Sequence, residues 1–284
     1  MDRIALERHI AAHPITGTPE EMRAACEALV GALPAGNLAS VGGVEGRWFG
    51  SSREAGVRPI VWLHGGGYVF GSSVTHGPCA GFLAKSADRS VFVPDYPLAP
   101  EHPWPAARDA AIAVLAALGV CDLVGDSAGG HLALVLAQRG DRDIRRLALI
   151  SPNTDRTGRS RTRQVNSASD LMNDDEDDAA LARLAFGDRP ADDPEVSPLL
   201  ASCKGLPPVY LTASTSEVLA DDGLLLAQAL GLADVPRTER FNDGLFHLWT
   251  LWPDILPEAR RTLAEIAAFL SAGDDRQHET PFVS

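Results

Sequence analysis

Two short glycine-rich segments, residues 64–67 (HGGG) and 125–130 (GDSAGG), could carry out chemistry together. Each follows an apolar run, at residues 60–63 and 121–124, that predicts a buried strand. The second segment contains G-x-S-x-G, the sharp turn from strand to helix that lifts a serine hydroxyl clear of a sheet. The first is the type of loop whose backbone N–H groups bind a developing oxyanion. Together they predict a nucleophile, Ser127, beside a pocket that stabilises negative charge.

The surroundings of Ser127 strengthen this prediction, because a G-x-S-x-G sequence by itself is weak evidence. A strand is predicted before the serine, and a proline-free helical stretch follows at residues 128–138. The flanking residues are small, as such a turn requires, because larger side chains would collide with the neighbouring helix and strand. A glycine-rich turn without chemistry, or one that holds a phosphate, is the alternative. The segment lacks the lysine that a phosphate-binding P-loop needs.

A serine nucleophile needs a general base, and that base needs an anion that fixes its orientation. In proteins with this kind of turn, an acidic residue and then a histidine follow the serine along the chain. His247 fits this order, because it lies on a short glycine-containing loop after the last predicted strand. The alternative for His247 is a packing role among Phe246, Trp249 and Trp252. The other histidines precede the serine, face away from it or lie near the C-terminus: His9, His13, His64, His76, His102, His131 and His278.

The acid is expected at the end of the strand that precedes the histidine loop, predicted at residues 208–213. Glu217 is the first carboxylate after that strand, at a position from which it can reach His247. Asp221 and Asp222 come later, near the start of the next predicted helix, where their charges complement the helix dipole. Glu217 is therefore the predicted acid.

These side chains must be positioned by an alternation of strands and helices that begins near residue 44. Strands are predicted near residues 44–49, 58–63, 90–95, 121–125, 145–151, 208–213 and 236–241. Helices are predicted at residues 77–87, 105–118, 128–139, 219–232 and 256–271. Such alternation indicates an α/β protein of one domain, with a mostly parallel sheet covered by helices on both faces. Residues 1–43 instead predict a helical segment in two pieces.

Two further regions depart from the alternation. Residues 152–200 are rich in Arg, Asp, Ser and Thr and predict an insertion after a strand. Its acidic run is interpreted as the start of a helix, with Asn173 as the cap and acids in the first turn, rather than as a metal site. Residues 273–284 predict a polar, frayed tail. The α/β unit would thus span residues 44–272.

Composition narrows the class of protein. The 284 residues are 45% hydrophobic and 22% charged, which is ordinary for a soluble globular chain. A net charge of −13 argues against nucleic acid or an anionic membrane as a partner. The start of the chain lacks the apolar core of a signal peptide, and no stretch approaches the length of a membrane span. Four scattered cysteines fit a reducing compartment, so a cytoplasmic protein is expected.

Six segments together resemble the bacterial hormone-sensitive-lipase-like esterases of the α/β-hydrolase superfamily. They are residues 64–67, 95–106 (DYPLAPEHPWPA), 125–130, 197–199 (SPL), 217–223 (EVLADDG) and 244–247 (GLFH). The resemblance covers roughly residues 20–270. It implies an α/β-hydrolase fold with a helical cap formed by the N-terminal segment and part of the insertion.

Carried over by position, the resemblance supports a triad of Ser127, Glu217 and His247. It also implies an oxyanion hole, which these esterases build from backbone amides of the glycine loop and of the residue after the serine. The corresponding residues here are Gly66, Gly67 and Ala128.

Three positions depart from the pattern of the family. Pro97 stands where these esterases usually have arginine, which removes a charged brace behind the site. Phe246 replaces the usual proline before the histidine, and Glu217 takes a position that is often Asp. None of these changes removes a catalytic atom, but the family's usual substrate preferences need not carry over.

The predicted chemistry is hydrolysis of carboxylic esters through an acyl-enzyme, with no cofactor and no metal. The substrate is expected to be a small-molecule ester or lactone with a short acyl chain, since no secretion signal and no large lid are recognised. The same triad could instead open lactones, transfer acyl groups or close rings in a biosynthetic pathway. A non-catalytic ligand-binding role is a further alternative, although such proteins usually lose a catalytic residue. The oligomeric state is left open, a homodimer included.

Overall fold

The computed structural model describes residues 1–31, 35–50, 57–140 and 143–272. These residues form a central sheet with helices packed on both faces and two further helices at the N-terminus. The predicted polar tail, residues 273–284, lies outside the described residues.

The sheet contains eight strands in the described part of the chain. In chain order they are β1 (Asn37–Val41), β2 (Val44–Phe49), β3 (Ile60–Leu63), β4 (Val91–Pro94), β5 (Cys121–Asp126), β6 (Ile144–Ile150), β7 (Val209–Ser214) and β8 (Arg237–Asn242). Their order across the sheet is β1-β2-β4-β3-β5-β6-β7-β8. β2 pairs antiparallel with β1 and β4, and the other neighbours are parallel. The prediction of a mostly parallel sheet is therefore confirmed.

Helices precede, connect and follow these strands. In chain order they are α1 (Arg3–Ala12), α2 (Pro19–Val30), α3 (Gly77–Ala87), α4 (Ala106–Leu118), α5 (Ala128–Arg139), α6 (Thr162–Val165), α7 (Asp175–Phe186), α8 (Ala220–Leu232) and α9 (Pro257–Ser271). The five helices predicted in the alternation correspond to α3, α4, α5, α8 and α9 and lie close to their predicted bounds. Among the described helices, none has both the length and the apolar character needed to cross a membrane.

Different helices cover the two faces of the sheet, because successive side chains of a strand point in opposite directions. Along β3, Val61 and Leu63 join a core that includes α4, α5 and α8. Ile60 and Trp62 join a second core that includes α1, α3 and α9. Every residue of β3 and β5 is buried, as expected for central strands of a parallel sheet.

The sheet begins earlier than the sequence suggested, because β1 lies inside the segment expected to be helical. Val41 of β1 pairs with Val44 of β2, so the two strands are joined by a two-residue hairpin turn. Gly42 and Gly43 form this turn with φ values of 61° and 82°. A turn of this type needs positive φ at both positions, which glycine adopts readily.

The acidic run of the insertion does begin a helix, α7, but the predicted cap was wrong by one residue. Asp174, not Asn173, has extended backbone angles (φ −135°, ψ 167°) and accepts a hydrogen bond from Asp177 N–H at 2.8 Å. This contact to the third helical residue is what defines an N-cap. Within the described residues, no group of three or more His, Cys, Asp or Glu side chains could hold a metal ion.

Ser127 occupies the turn between β5 and α5 with φ 52° and ψ −119°, angles that side-chain-bearing residues rarely adopt. The turn is tight because α5 packs directly on the strands. A Cβ on Gly129 would lie 2.0 Å from the carbonyl oxygen of Leu63, and a Cβ on Gly125 would lie 2.3 Å from the carbonyl oxygen of Gly129. The predicted need for small residues around the serine is therefore confirmed.

This packing predicts that Gly129→Ala destabilises the protein. The added Cβ would overlap backbone atoms of β3, and overpacking of this kind costs about 3 kcal/mol. Gly81→Ala is the matched control: Gly81 is also helical, but its Cβ would lie 3.9 Å from the nearest atom, Phe49 Cδ1. That variant should gain roughly 0.5–1 kcal/mol. Urea unfolding followed by circular dichroism measures both, and equal stability of the two variants would contradict the proposed contact.

Candidate active site

Three side chains from separate loops meet at the carboxyl ends of parallel strands. Ser127 follows β5, Glu217 follows β7 and His247 follows β8. The Nε2 atom of His247 lies 2.9 Å from Ser127 Oγ, and its Nδ1 atom lies 2.8 Å from Glu217 Oε2. The exposed fractions of Ser127, Glu217 and His247 are 7%, 0% and 3%. The structure thus brings the three predicted residues together in one buried, hydrogen-bonded chain.

The Glu217 carboxylate determines where the imidazole carries its proton. Glu217 Oε1 accepts a hydrogen bond from Ser214 N–H at 3.0 Å, while Oε2 faces the ring. An ionised carboxylate only accepts hydrogen bonds, so Nδ1 of His247 is the protonated nitrogen. The lone pair of Nε2 then faces the Ser127 hydroxyl, which can donate to it. General-base activation of a serine requires this arrangement.

Neighbouring anions favour the protonated form of His247. Burial alone would lower the pKa of His247, but the hydrogen bond and charge of Glu217 outweigh this effect, and the charges of Asp170 and Asp126 add to it. The pKa of His247 is therefore raised above its ordinary value. A raised pKa makes the neutral ring a better acceptor for the serine proton.

The two aspartates that follow Glu217 are engaged with the insertion. Asp221 Oδ2 accepts hydrogen bonds from two backbone N–H groups of the insertion, at 2.8 and 3.1 Å. Asp222 is completely buried and pairs with Arg163 at 2.9 Å. Both carboxylates lie in the first turn of α8, as predicted, but they also fasten that helix to the insertion.

The glycine-rich loop after β3 forms a tight turn beside the nucleophile. A Cβ on Gly65 would lie 3.2 Å from Ser127 Cβ. Gly66 and Gly67 have φ values of 115° and 60°, which glycine adopts without strain. Within the described ranges, the backbone N–H groups of Gly66, Gly67 and Ala128 donate to no other residue. These are the three amides for which the sequence predicts oxyanion binding.

Sequence reasoning missed Asp126, the residue before the nucleophile. Its buried carboxylate accepts hydrogen bonds from Trp62 Nε1 at 2.7 Å and from Gly65 N–H at 3.0 Å, with His76 Nε2 also at 3.0 Å. Burial alone would raise the pKa of Asp126, but His76 and Trp62 lower it below its ordinary value. Asp126 therefore joins the serine turn to the glycine loop. The available signal was a carboxylate directly before the predicted nucleophile, at the end of a completely buried strand.

The His64 side chain supports the glycine loop. Its ring stacks on Tyr96 with ring centroids 4.1 Å apart, and its Nδ1 atom lies 2.8 Å from Gly65 O. The Tyr96 hydroxyl donates to His64 O at 2.5 Å. Burial and the neighbouring His76 lower the pKa of His64 to about 4, so its ring stays neutral near pH 7.

An arginine from α2 grips the segment in which Pro97 replaces the usual arginine. Arg23 Nε donates to Val69 O at 2.9 Å, and Arg23 Nη2 donates to Ala99 O at 2.9 Å. The same guanidinium pairs with Glu101 at 2.6 Å. Helix α2 is therefore fixed to the end of the glycine loop and to the segment that follows β4.

A cavity of about 190 Å³ lies between the N-terminal helices and the insertion. Its lining includes the apolar side chains of Phe70 and Leu181 and the acidic side chains of Asp170 and Asp174. Leu181 lies against the glycine loop, since a Cβ on Gly67 would come within 2.6 Å of Leu181 Cδ1. The cavity therefore adjoins the loop that carries the candidate oxyanion-binding amides.

Known sequences include relatives that cover most of this chain. The profile of a family described as alpha/beta hydrolase fold matches residues 60–251. An acetyl-hydrolase of Streptomyces hygroscopicus is 32% identical over 250 residues, which cover 84% of this chain and 83% of the relative. An esterase of Acinetobacter venetianus is 34% identical over 227 residues, which cover 76% of this chain and 75% of the relative.

Solved structures give the same result. The crystal structure of an esterase from the bacterial hormone-sensitive lipase family matches with a TM-score of 0.86 and 29% identity, over 95% of this chain and 98% of that one. A hormone-sensitive lipase from a metagenome library matches with a TM-score of 0.85 and 27% identity, over 96% and 99% of the two chains. The chain therefore belongs to the alpha/beta hydrolase fold family and, within it, to the bacterial hormone-sensitive-lipase-like esterases.

Proposed function

We propose that this protein is a serine carboxylesterase that hydrolyses short-chain or small-molecule carboxylic esters. The observation that carries the proposal is the hydrogen-bonded chain from Ser127 through His247 to Glu217, with distances of 2.9 and 2.8 Å. Relatives named esterase and acetyl-hydrolase, at 34% and 32% identity, support an ester as the substrate.

In the first half of the reaction, Ser127 Oγ attacks the ester carbonyl carbon while His247 Nε2 takes the hydroxyl proton. The Glu217 carboxylate stabilises the imidazolium that forms. The free amides of Gly66, Gly67 and Ala128 donate to the oxyanion, and each such donor contributes about 3 kcal/mol of transition-state stabilisation.

In the second half, the tetrahedral intermediate collapses and the imidazolium gives its proton to the departing alcohol. This step leaves the acyl group on Ser127. A water molecule then attacks the acyl carbon while His247 takes its proton. As the bond between the acyl carbon and Ser127 Oγ breaks, His247 returns the proton to the serine and the carboxylic acid is released. Apart from the ester and this water molecule, every group used in the cycle belongs to the chain itself.

We propose the 190 Å³ cavity as the substrate pocket, with α1, α2 and part of the insertion as its cap. Pockets that enclose drug-sized ligands measure roughly 300–1,000 Å³. The smaller volume and the apolar wall formed by Phe70 and Leu181 favour a short acyl chain. The hydrogen bond from Arg23 Nε to Val69 O supports the assignment of α2 to the cap, because it fixes that helix beside the glycine loop.

A cytoplasmic location is proposed as well. The cysteines are free thiols buried in the protein: Cys26, Cys79, Cys121 and Cys203. Burial raises the pKa of the Cys26 thiol to about 12, so this thiol stays protonated and unreactive. Unpaired cysteines are typical of a reducing compartment.

Ser127→Ala should abolish ester hydrolysis, because it removes the attacking oxygen while leaving the fold intact. Loss of a nucleophile of this type costs roughly 10⁶-fold in kcat. Hydrolysis of p-nitrophenyl butyrate measures the loss, and mass spectrometry after treatment with a fluorophosphonate should locate the label on Ser127 of the wild-type protein. A Ser127→Ala protein with full activity would refute the proposed function.

Glu217→Gln should reduce kcat roughly 10³- to 10⁴-fold, because the amide cannot stabilise the imidazolium or hold Nδ1 in its donor form. Asp221→Asn is the matched control. Asp221 lies in the following helical turn and binds amides of the insertion instead of the ring. The activity of the Asp221→Asn variant should stay close to that of the wild type. A greater loss in Asp221→Asn than in Glu217→Gln would move the acid to Asp221.

The size of the cavity predicts a preference for short acyl chains. Among p-nitrophenyl esters of increasing length, kcat/KM should be highest for acetate to butyrate and fall for longer chains. Leu181→Ala removes part of the apolar wall and enlarges the cavity, so it should shift the optimum to longer acyl chains. Leu184→Ala, on the exposed face of the same helix, should leave it unchanged. An optimum at long chains in the wild type would reject this cavity as the acyl pocket.

A further inference from the structure

One turn of the insertion contacts the loops that carry both the proposed acid and the proposed base. The turn comprises residues 166–170, directly after α6. It is closed by hydrogen bonds from Ser169 N–H and Asp170 N–H to Asn166 O, at 3.0 and 2.9 Å. Its first and last residues, Asn166 and Asp170, point their side chains at the two loops.

Asp170 connects the two loops through its carboxylate. Oδ1 accepts a hydrogen bond from His247 N–H at 3.0 Å, and Oδ2 accepts one from Val218 N–H at 3.0 Å. Oδ1 also accepts from Met172 N–H at 3.1 Å. A carboxylate suits this position because it offers an acceptor on each side, whereas an amide offers only one.

Asn166 binds the same acid loop as a hydrogen-bond donor, whereas Asp170 binds it as an acceptor. Its Nδ2 atom donates to Glu217 O at 2.9 Å and to Thr215 O at 3.1 Å. The peptide bond between Glu217 and Val218 is therefore fixed on both sides, with its carbonyl bound to Asn166 and its N–H bound to Asp170. This peptide directly follows the carboxylate that faces the imidazole.

The ionised form of Asp170 is disfavoured by its surroundings. Burial and the like charge of Glu217 raise the pKa of Asp170, although the nearby His247 partly offsets this. The ring nitrogens of His247 are already engaged by Glu217 and Ser127. Asp170 therefore acts on His247 through its backbone N–H and through charge, without touching the reacting atoms.

We propose that Asp170 is a positioning residue for the reaction: its carboxylate fixes the acid and base loops relative to each other and adds a negative charge beside the imidazole. The insertion is then part of the catalytic apparatus and not only part of a cap. This inference rests on the proposed esterase function.

The sign of the pH effect follows from the charges that face His247. These are Glu217 on the β7 side, Asp126 from β5 and Asp170 from the insertion, and all three favour the imidazolium. Loss of one of these charges lowers the pKa of His247. The neutral, reactive ring then persists to lower pH, so the acidic limb of the rate profile moves to lower pH.

The test compares Asp170→Asn with Asp221→Asn. Each variant removes one carboxylate that accepts two backbone hydrogen bonds between the insertion and the rest of the chain. Two measurements are made against pH: kcat and KM for p-nitrophenyl butyrate, and the rate of Ser127 labelling by a fluorophosphonate. In Asp170→Asn, kcat should fall about 10- to 100-fold with KM nearly unchanged, since small misplacements of reacting groups have effects of this size. The acidic limb should move to lower pH in both measurements.

Asp221→Asn should keep the wild-type kcat and acidic limb. An unchanged kcat and limb in Asp170→Asn would overturn the inference. Equal losses in both variants with an unmoved limb would also overturn it, because they indicate a purely structural role. A wild-type protein that is neither labelled nor active would instead reject the proposed function.

A second variant covers the case in which Asp170→Asn does not fold. Asn166→Ala removes the two hydrogen bonds that the uncharged Asn166 side chain donates to Thr215 O and Glu217 O. It leaves every charge around His247 in place. Its kcat should fall while the acidic limb stays at the wild-type pH. Wild-type kcat in a folded Asn166→Ala protein would contradict the claim that this turn fixes the acid loop.

Discussion

The contact between α5 and the central strands is the constraint on which the site depends. With glycine at positions 125 and 129, the helix approaches so closely that no side chain fits between it and β3 or β5. The chain can reverse within this space only if Ser127 adopts a positive φ. The packing of α5 on the strands maintains this strained conformation of Ser127. The conformation presents the serine hydroxyl at the end of β5, away from the core.

Asp126 extends this constraint to the glycine loop. Because its carboxylate binds Gly65 N–H, the loop after β3 keeps a fixed position relative to the serine turn after β5. His64 and Tyr96 also support the loop, and Arg23 connects it to α2. The amides beside the nucleophile are thus oriented in advance, which is how preorganised donors stabilise a developing charge without a reorganisation cost.

The sequence predicted the parts of this structure that have a local signal. Apolar runs marked the central strands, and the glycines around Ser127 marked the turn. The order of serine, acid and histidine pointed to Glu217 and His247, which the structure brings together, although their catalytic roles stay predictions. Strand β1 was missed because its burial pattern is mostly exposed, which gives no apolar alternation to recognise.

Asp126 and Asp170 escaped recognition for a different reason. Each binds groups that are distant along the chain, Gly65 for Asp126 and His247 for Asp170, and the local sequence around a carboxylate does not show whether it meets such a partner. The cap of α7 was misplaced because Asn173 and Asp174 are both good capping residues. Only the backbone angles decide between them.

The clamp formed by Asn166 and Asp170 ends on main-chain atoms of the acid loop. Those atoms are the same in nearly every amino acid, so the hydrogen bond from residue 218 to Asp170 does not itself depend on which side chain stands there. Proline is the exception, because it has no amide hydrogen to offer. The position of the acid loop therefore follows from the path of its main chain, while the complete burial of Val218 and Leu219 restricts which side chains the loop can carry.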